Sequence, residues 1–491
     1  MLALFFIVVQ ALSLQVGRQP ERPPEVIAFV DQSRSLPTEF RADALLRLSE
    51  SSLIQETSWK QELIEEAFWS GSHAPLRYLQ RADGRSDSLA TNAVMANRLE
   101  ALTLQGRAVQ EMLSLNPQKA LHLFEQSEPI ALPKLTCSTV FTPDVVAYYQ
   151  TGVLAFQGAF TAKQRKDGDD FLFLRQLVAS VESPSQVPPA LEMVFAVKIT
   201  LPQRHDLLSL FAARLQEISR SDREYGATEM ALVPAVALDR LQPSEAATLL
   251  PALRSYIVRH VSGRRCTDNM PAPGKMAKSA EEFNSLAAKL DPGGYRYKPI
   301  SAEEARPLAD DGTYQRNIIG QSAQSQDILE ALRWLTHGDR VRDGKVLRWT
   351  LEERSSQDWL VRYDDAAKLV YDLHESAESS PEALFCMKSD ALNLLATLAP
   401  PGPTRDKAMG EYREFLEQYY SAIQNRNLWF TMFRHMLYTA RFSDDPKDKA
   451  WILDELARSS NPIMALYAKL ETRIGPPGET YPASHVQAAQ K

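Results

Sequence analysis

Three groups of side chains in this chain have the composition to do chemistry. Arg254, Arg259, Arg264 and Arg265, with His260 among them, crowd the end of one helical stretch and the loop that leaves it. Clustered guanidinium groups hold carboxylates and phosphates through paired N–H donors, so these four arginines form a candidate anion-binding site. The plainer reading is that they complement the negative end of the helix dipole. Asp364, Asp365 and Asp372 lie along a second helical stretch with Tyr363 and Tyr371. Two carboxylates among aromatic rings are what a glycan-cleaving site displays, one protonating the leaving group while the other activates water or attacks. Adjacent Asp364 and Asp365 point about 100° apart on a helix, so those two cannot act as the pair, and a solvated face is the plainer reading. Tyr148, Tyr149, Trp349, Trp359 and Trp429 are the rings on which sugars would stack, although aromatics at helical spacing are more often core.

The third group is the cysteines. Cys137 and Cys266 both fall in polar, turn-rich segments, and in an exported protein two loop cysteines are candidates for a disulfide. Closing a loop of about 130 residues would stabilise by somewhat under 5 kcal/mol through chain entropy. Cys386 lies between Phe385 and Met387 in an apolar helix and reads as a buried structural thiol.

Motif searching excludes more than it finds. The sequence has no HExxH, CxxC, GxSxG, GxGxxG or Gly-Lys-Ser/Thr phosphate loop. The 8 histidines are scattered, and no two stand at i, i+3 or i+4, so a zinc site is not expected. His122, His260 and His435 each read as a packed or surface histidine, and no cofactor is expected. A net charge of -7 over 491 residues, with both signs interspersed, gives no footprint for nucleic acid.

The elements that must position any such site are helices. Gly106 to Gln126, GRAVQEMLSLNPQKALHLFEQ, shows the unit most clearly. Ala108, Val109, Met112 and Leu113 share one helical face, and Ala120, Leu121 and Phe124 form the facing stripe. Between them Asn116 supplies an N-cap and Pro117 suits the first helical position. A single hairpin cannot bury such a seam, so neighbours must stack on it. Ala120 and Phe124 resemble the small-and-aromatic wedge on the second helix of the tetratricopeptide repeat. Arg107 and Glu111 stand where that repeat has Leu and an aromatic, and no 34-residue period runs along the chain. The resemblance covers half of one unit and implies helical hairpins.

Read in order, Leu2 to Val9 is an apolar run followed by Ala11-Leu12-Ser13, small residues at a signal-peptidase site. Residues 1–13 are therefore expected to be a secretory signal, although no Lys or Arg precedes the run. The segment is shorter than the roughly 20 residues that span a bilayer, and no later stretch is apolar enough, so no transmembrane segment is expected after its removal. Residues 14–24 are a polar, Pro-rich spacer and 25–262 a first helical domain. Within it Thr38 is a candidate cap, Ser58 with Gln61 a candidate capping box, Asp87 to Leu104 a helix, and Lys163 to Asp170 a polar loop. Met193 to Ile199 could be helix or buried strand.

Residues 263–320, punctuated by PAPGK, DPGG and DDG, read as a structured linker with capping boxes at Ser279–Glu282 and Ser301–Glu304. A second helical domain follows over 321–474, with one helix expected from Lys449 to Leu470, and a disordered tail over 475–491. The segments SPEALFCMKSDALNLLATLAPPGPTRD and MALYAKLE resemble parts of bacterial proteins predicted to be secreted. That resemblance implies export and an all-helical fold, and no activity.

Composition agrees with a folded protein: 44% of residues are apolar, and 20 Gly with 30 Pro fall short of a disordered composition. The expected fold is all-α, stacked helical hairpins forming an α-solenoid or α/α superhelix in two helical domains. Two functions fit it. One is a secreted or periplasmic scaffold whose concave face binds another protein or a peptide. The other is an all-helical enzyme acting on a cell-wall or other polysaccharide by carboxylate acid/base chemistry. Sequence alone leaves the oligomeric state open.

Overall fold

The computed structural model describes residues 22–74, 78–80, 97–127, 139–141, 144–219, 222–233, 240–263, 265, 270–272, 274–293, 296–307, 322–338, 341–342, 345–374, 381–423, 426–441 and 446–475. The signal-peptide, tail and disulfide expectations, including Cys137 and Cys266, fall outside these residues, as does Arg264.

The fold is all-α, built of helices that pack on their near neighbours in sequence. The first array runs α1 (Pro24–Arg34), α2 (Thr38–Glu50), α3 (Thr57–Ser72), α4 (Ala101–Leu115), α5 (Pro117–Glu125), α6 (Val145–Gly158), α7 (Ala162–Asp167) and α8 (Asp169–Ala179). It continues through α9 (Val187–Ala196), α10 (Leu201–Glu217), α11 (Asp222–Leu232), α12 (Pro243–Val261) and α13 (Lys278–Leu290). The second array holds α14 (Ala323–His337), α15 (Leu351–Arg354), α16 (Gln357–Tyr371), α17 (Pro381–Leu398), α18 (Pro403–Tyr419), α19 (Arg426–Arg441), α20 (Pro446–Ala457) and α21 (Pro462–Ile474). Two antiparallel ribbons interrupt the helices: β1 (Tyr78–Gln80) with β2 (Thr139–Phe141), and β3 (Val341–Arg342) with β4 (Lys345–Val346).

The α4–α5 hairpin forms as its residues dictate. Asn116 accepts from the Lys119 amide at 3.1 Å, Pro117 opens α5, and Ala108, Val109, Met112, Ala120, Leu121 and Phe124 are all buried. The seam is covered by α3 and α2 on one side and α6 on the other. Gly106 allows α6 to come close, since a Cβ there would meet the Thr151 hydroxyl at 2.8 Å. Met193 to Ala196 lies in α9, so the ambiguous run is helix rather than strand up to that point.

Several local expectations fail for identifiable reasons. The helix expected through Leu104 is broken at Arg98, whose φ of 57° is left-handed, and α4 starts afresh at Ala101 with Glu100 as its cap. Lys163 to Asp170 is mostly the short helix α7, which Thr161 and Gln164 cap reciprocally and Gly168 ends at φ 85°. Helix α3 begins at Thr57, one residue too early for Ser58 to cap it, and α13 has no side-chain cap because Ser279 is buried against Glu229. The Ser301–Glu304 box does form, with Glu304 accepting from the Ser301 amide at 2.9 Å. The single helix expected from Lys449 to Leu470 is two, since Asn461 caps α21 and Pro462 opens it. Residues 278–305, read as linker, pack α13 on α11 and α12 and bury Phe283, Leu286, Ile300 and Ala305.

The arrangement closes on itself. The last helix, α21, packs on α1 and α2. There the Phe40 ring meets Phe430 at 5.1 Å and Tyr467 at 6.3 Å. Beside these rings lies buried charge: Arg107 donates to Asp43 at 2.5 Å, the Tyr467 hydroxyl donates to the same carboxylate at 2.6 Å, and Arg47 reaches Glu471 at 3.4 Å. Burial raises Asp43, but Arg107 and Arg47 outweigh it and hold the carboxyl below its ordinary range. Arg107 and Glu111, the two positions that depart from the tetratricopeptide pattern, both belong to this polar interior, Glu111 accepting from Ser49 at 2.7 Å. Burial, and then the nearby Glu50, push Glu111 well above the usual carboxylate range. Asn97 ties α19 to the same region, donating to the Asn427 carbonyl and to Thr431 and accepting from Arg434, each at 2.8 Å.

Candidate functional site

A cleft between α14 and α16 combines concavity, one half-buried aromatic ring and charge. Ser322 caps α14, accepting from the Ser325 amide at 3.1 Å, and Ile328, Leu332 and Leu335 anchor the helix in the core. That anchoring turns a second stripe outward: Asp327, Glu330, Ala331, Trp334 and, just past the helix end, Gly338 line a cavity of about 310 Å³. Arg333 and Arg362 complete its lining.

The centre of the cleft is a layered stack. The Arg362 guanidinium lies 4.3 Å from the centroid of the Trp334 ring, and Trp349 packs against Trp334 at 5.2 Å. The ribbon β3–β4 carries the chain back so that the Trp349 indole N–H donates to the Trp334 carbonyl at 3.0 Å. Gly338 is required at the turn: its φ is 58° and its ψ -146°, and a Cβ would come within 3.0 Å of Trp349. Large apolar side chains stay exposed on the same elements, Leu329 on α14, Leu347 and Leu351 between, and Val361 and Leu369 on α16. The lining is one aromatic ring, two small residues and four charged side chains, a concave surface on which a polar ligand or peptide could be held.

The two acids that line the cleft are not laid out as a glycosidase pair. Asp327 and Glu330 are exposed and one helical turn apart on the same rim, whereas a glycosidase sets its two carboxyl groups on either side of the scissile bond. Asp364, Asp365 and Asp372 are exposed along α16 and at its end, the solvated face of the plainer reading. Among the described residues no group of three His, Cys, Asp or Glu is placed to hold a metal.

The four arginines do not make an anion site among the described residues. Arg254 donates to both Glu304 oxygens at 2.8 Å and to the Lys298 and Pro299 carbonyls. The Ser301 amide, and then Arg254, pull Glu304 down to about 2. Arg259 donates to the Leu215 and Gln216 carbonyls, capping the end of α10 rather than its own helix. Arg265 is buried and bonded to Glu229, which also accepts from the Ser279 hydroxyl at 2.7 Å. Each described guanidinium is thus committed to acceptors of this chain.

The remaining sequence candidates are mostly core. Tyr149, Trp359 and Trp429 are buried, and Tyr148 stacks on Phe124 at 5.1 Å. His260 is buried between Tyr225 and Tyr256, and Cys386 is buried in α17. Of the five aromatics proposed for sugar stacking none lines the cavity, and Trp349 alone comes near it, packed against Trp334. Trp334 was missed, although its spacing from Asp327, Glu330 and Ala331 marks one helical face.

Models of known protein families, characterised proteins and solved structures were all compared with this chain, and none matches it. No helix among the described residues is long and apolar enough to cross a membrane.

Proposed function

We propose that this chain is a helical scaffold that binds a segment of another protein in the cleft between α14 and α16. The observation that carries the reading is a cavity of about 310 Å³ in which the exposed Arg362 lies on the half-buried Trp334 ring, itself backed by Trp349. Side chains of this kind are the ones that anchor protein contacts: aromatic and Arg residues carry most of the binding energy where they are found, and aliphatic neighbours exclude water. Stacked hairpins supply the rigid support, since each helix is fixed by the next.

The apolar run Leu2 to Val9 and the small residues after it support work outside the cytoplasm, in the periplasm or the medium. Hairpin stacking of the tetratricopeptide kind remains part of this proposal, supported by Ala120 and Phe124 in the α4–α5 seam.

The test is to probe arrays of immobilised peptides and of cell-wall and plant polysaccharides with the full chain and with Trp334→Ala and Arg362→Ala. Peptide binding that both variants weaken, by about tenfold or more for the aromatic position, is the expected result. Binding to glycans, with shortening of soluble oligosaccharides over time, would establish the polysaccharide-acting enzyme instead.

A further inference from the structure

Three carboxyl groups surround one guanidinium beside the contact that closes the fold. Arg107 donates to Asp43 at 2.5 Å, and Glu50 and Glu111 are the next acids acting on it. Two of the three stand against each other. The Ser49 hydroxyl donates to Oε2 of Glu111 at 2.7 Å, and its neighbour Glu50, the last residue of α2, lies within hydrogen-bond reach of the same carboxyl. Oε1 of Glu111 is buried and meets no donor among the described residues. Two carboxylates in contact repel, and a buried carboxylate oxygen without a donor is costly. Both costs vanish when Oε1 carries a proton and donates it to Glu50. Burial, and then Glu50, favour that form, since they hold Glu111 well above the usual carboxylate range.

The elements packed around α4 have their charges engaged elsewhere. Arg47 of α2 reaches Glu471 of α21 at 3.4 Å, Lys119 of α5 is paired with Glu65 of α3 at 2.6 Å, and Lys60 of α3 donates to the Ser51 carbonyl at 3.3 Å. His122 and Glu125 of α5 are exposed. Asp144 caps α6 at the far end of α4, beside Glu100, and burial keeps the hydroxyls of Tyr148 and Tyr149 on α6 neutral. Arg107, one turn before Glu111, is thus the cation to which a charged Glu111 would turn. The same guanidinium holds Asp43, which accepts from Tyr467 of α21 at 2.6 Å.

We propose that Glu50 and Glu111 form a proton-operated latch on the closing contact. With one proton shared between them, Arg107 stays on Asp43 and α21 stays on α2. When that proton passes through the exposed Glu50 to water, ionised Glu111 competes with Asp43 for Arg107, and the hold on α21 loosens. The folded value of Glu111 lies above the unfolded 4.5, so the latch is fully set below 4.5 and is lost as pH rises through the folded value.

The test is hydrogen–deuterium exchange of the full chain from about pH 5 to 9, followed in peptides from α21 and corrected for the intrinsic pH dependence of exchange. In wild type the protection of α21 should fall by up to about tenfold per pH unit until the folded value is passed, because opening releases one proton, and then level off. Glu111→Gln, whose amide can donate to Glu50 at every pH, should remove that slope. Glu50→Gln should make the fall level off at lower pH, because Glu111 then ionises without a charge opposite it. Glu100→Gln removes the other raised carboxyl, at the head of α4, and should leave the response of α21 in place. A flat wild-type response, or a slope that Glu111→Gln retains, would overturn the proposal. If Glu111→Gln does not fold, Glu50→Gln decides: levelling off at an unchanged or higher pH would overturn the latch as well.

Discussion

Removing the Asp43 carboxylate should open the contact between the two ends of the fold, and the structure sets the size of the effect. Asp43 is 7% exposed and takes hydrogen bonds from Arg107 at 2.5 Å and from Tyr467 at 2.6 Å. Asp43→Ala leaves the buried Arg107 without its carboxylate, and breaking one side of a buried pair costs about 3–5 kcal/mol. The lost hydrogen bond from Tyr467 to a charged acceptor, about 1.5–3 kcal/mol, is contained in that figure. The assay is urea unfolding followed by tryptophan fluorescence, comparing wild type, Asp43→Ala and the triple variant Asp43→Leu, Arg107→Met, Tyr467→Phe. The triple variant should regain most of the loss, because well-packed apolar groups of similar volume often replace a buried ion pair at little cost. The carboxyl of Asp43 is held below its ordinary range, so its contribution is present above the unfolded value of 3.8 and is lost as pH falls through the folded one. The gap between wild type and Asp43→Ala should therefore narrow in acid. A cost below about 1 kcal/mol, or a triple variant no better than the single, would refute this account of the closing contact.

Other expectations follow from single positions. Burial pushes the Glu100 carboxyl up to about 7, so the protonated form is favoured in the fold; stability should be full below 4.5 and fall as pH rises through about 7. Glu100→Gln should flatten that dependence, which is worth about 3 kcal/mol at most, in unfolding measured at pH 5 and pH 8. Gly338→Ala should cost about 1–3 kcal/mol, because φ 58° with ψ -146° suits glycine alone, and it should alter the Trp334–Trp349 fluorescence. Asn461 accepts from the amides of Ile463 at 3.0 Å and Met464 at 3.3 Å, so Asn461→Ala should cost about 1 kcal/mol and raise protease sensitivity at the head of α21.

Local rules made most of the helices legible, and long-range contacts were beyond them. Asn116-Pro117 announced a helix boundary, and the same dipeptide at Asn461-Pro462 marks the break between α20 and α21 with equal clarity, yet the apolar spacing across it concealed the stop. Thr161 and Gln164 likewise carried a capping signal inside a stretch whose charge suggested a loop. Arg98 gave no such warning, because its left-handed backbone goes with the hydrogen bonds that the preceding Asn97 makes to α19, more than 300 residues away. The arginine cluster misled for a related reason. Its acceptors, Glu304, Glu229 and the end of α10, lie 36 to 50 positions away, and proximity in sequence to one another said nothing of them. The cleft needed both kinds of information, the stripe on α14, which periodicity shows, and Arg362, which only the packing of α16 supplies.

The contact between the last helix and the first two also orders events in time. Tyr467 and Asp43 are 424 residues apart, so at the usual pace of roughly 5–20 residues per second a ribosome needs about 20–85 s to deliver the hydroxyl after the carboxylate. Throughout that interval Phe40, Asp43 and Arg47 have been made, and Arg107 soon joins Asp43, but Tyr467 and Glu471 have not been made. The beginning of the chain must wait, with an aromatic ring and an incomplete set of charges uncovered, for the end to arrive. A nascent chain stalled before Pro462 should accordingly expose Phe40 to any chaperone that reads apolar surface, and release of the finished chain should end that exposure.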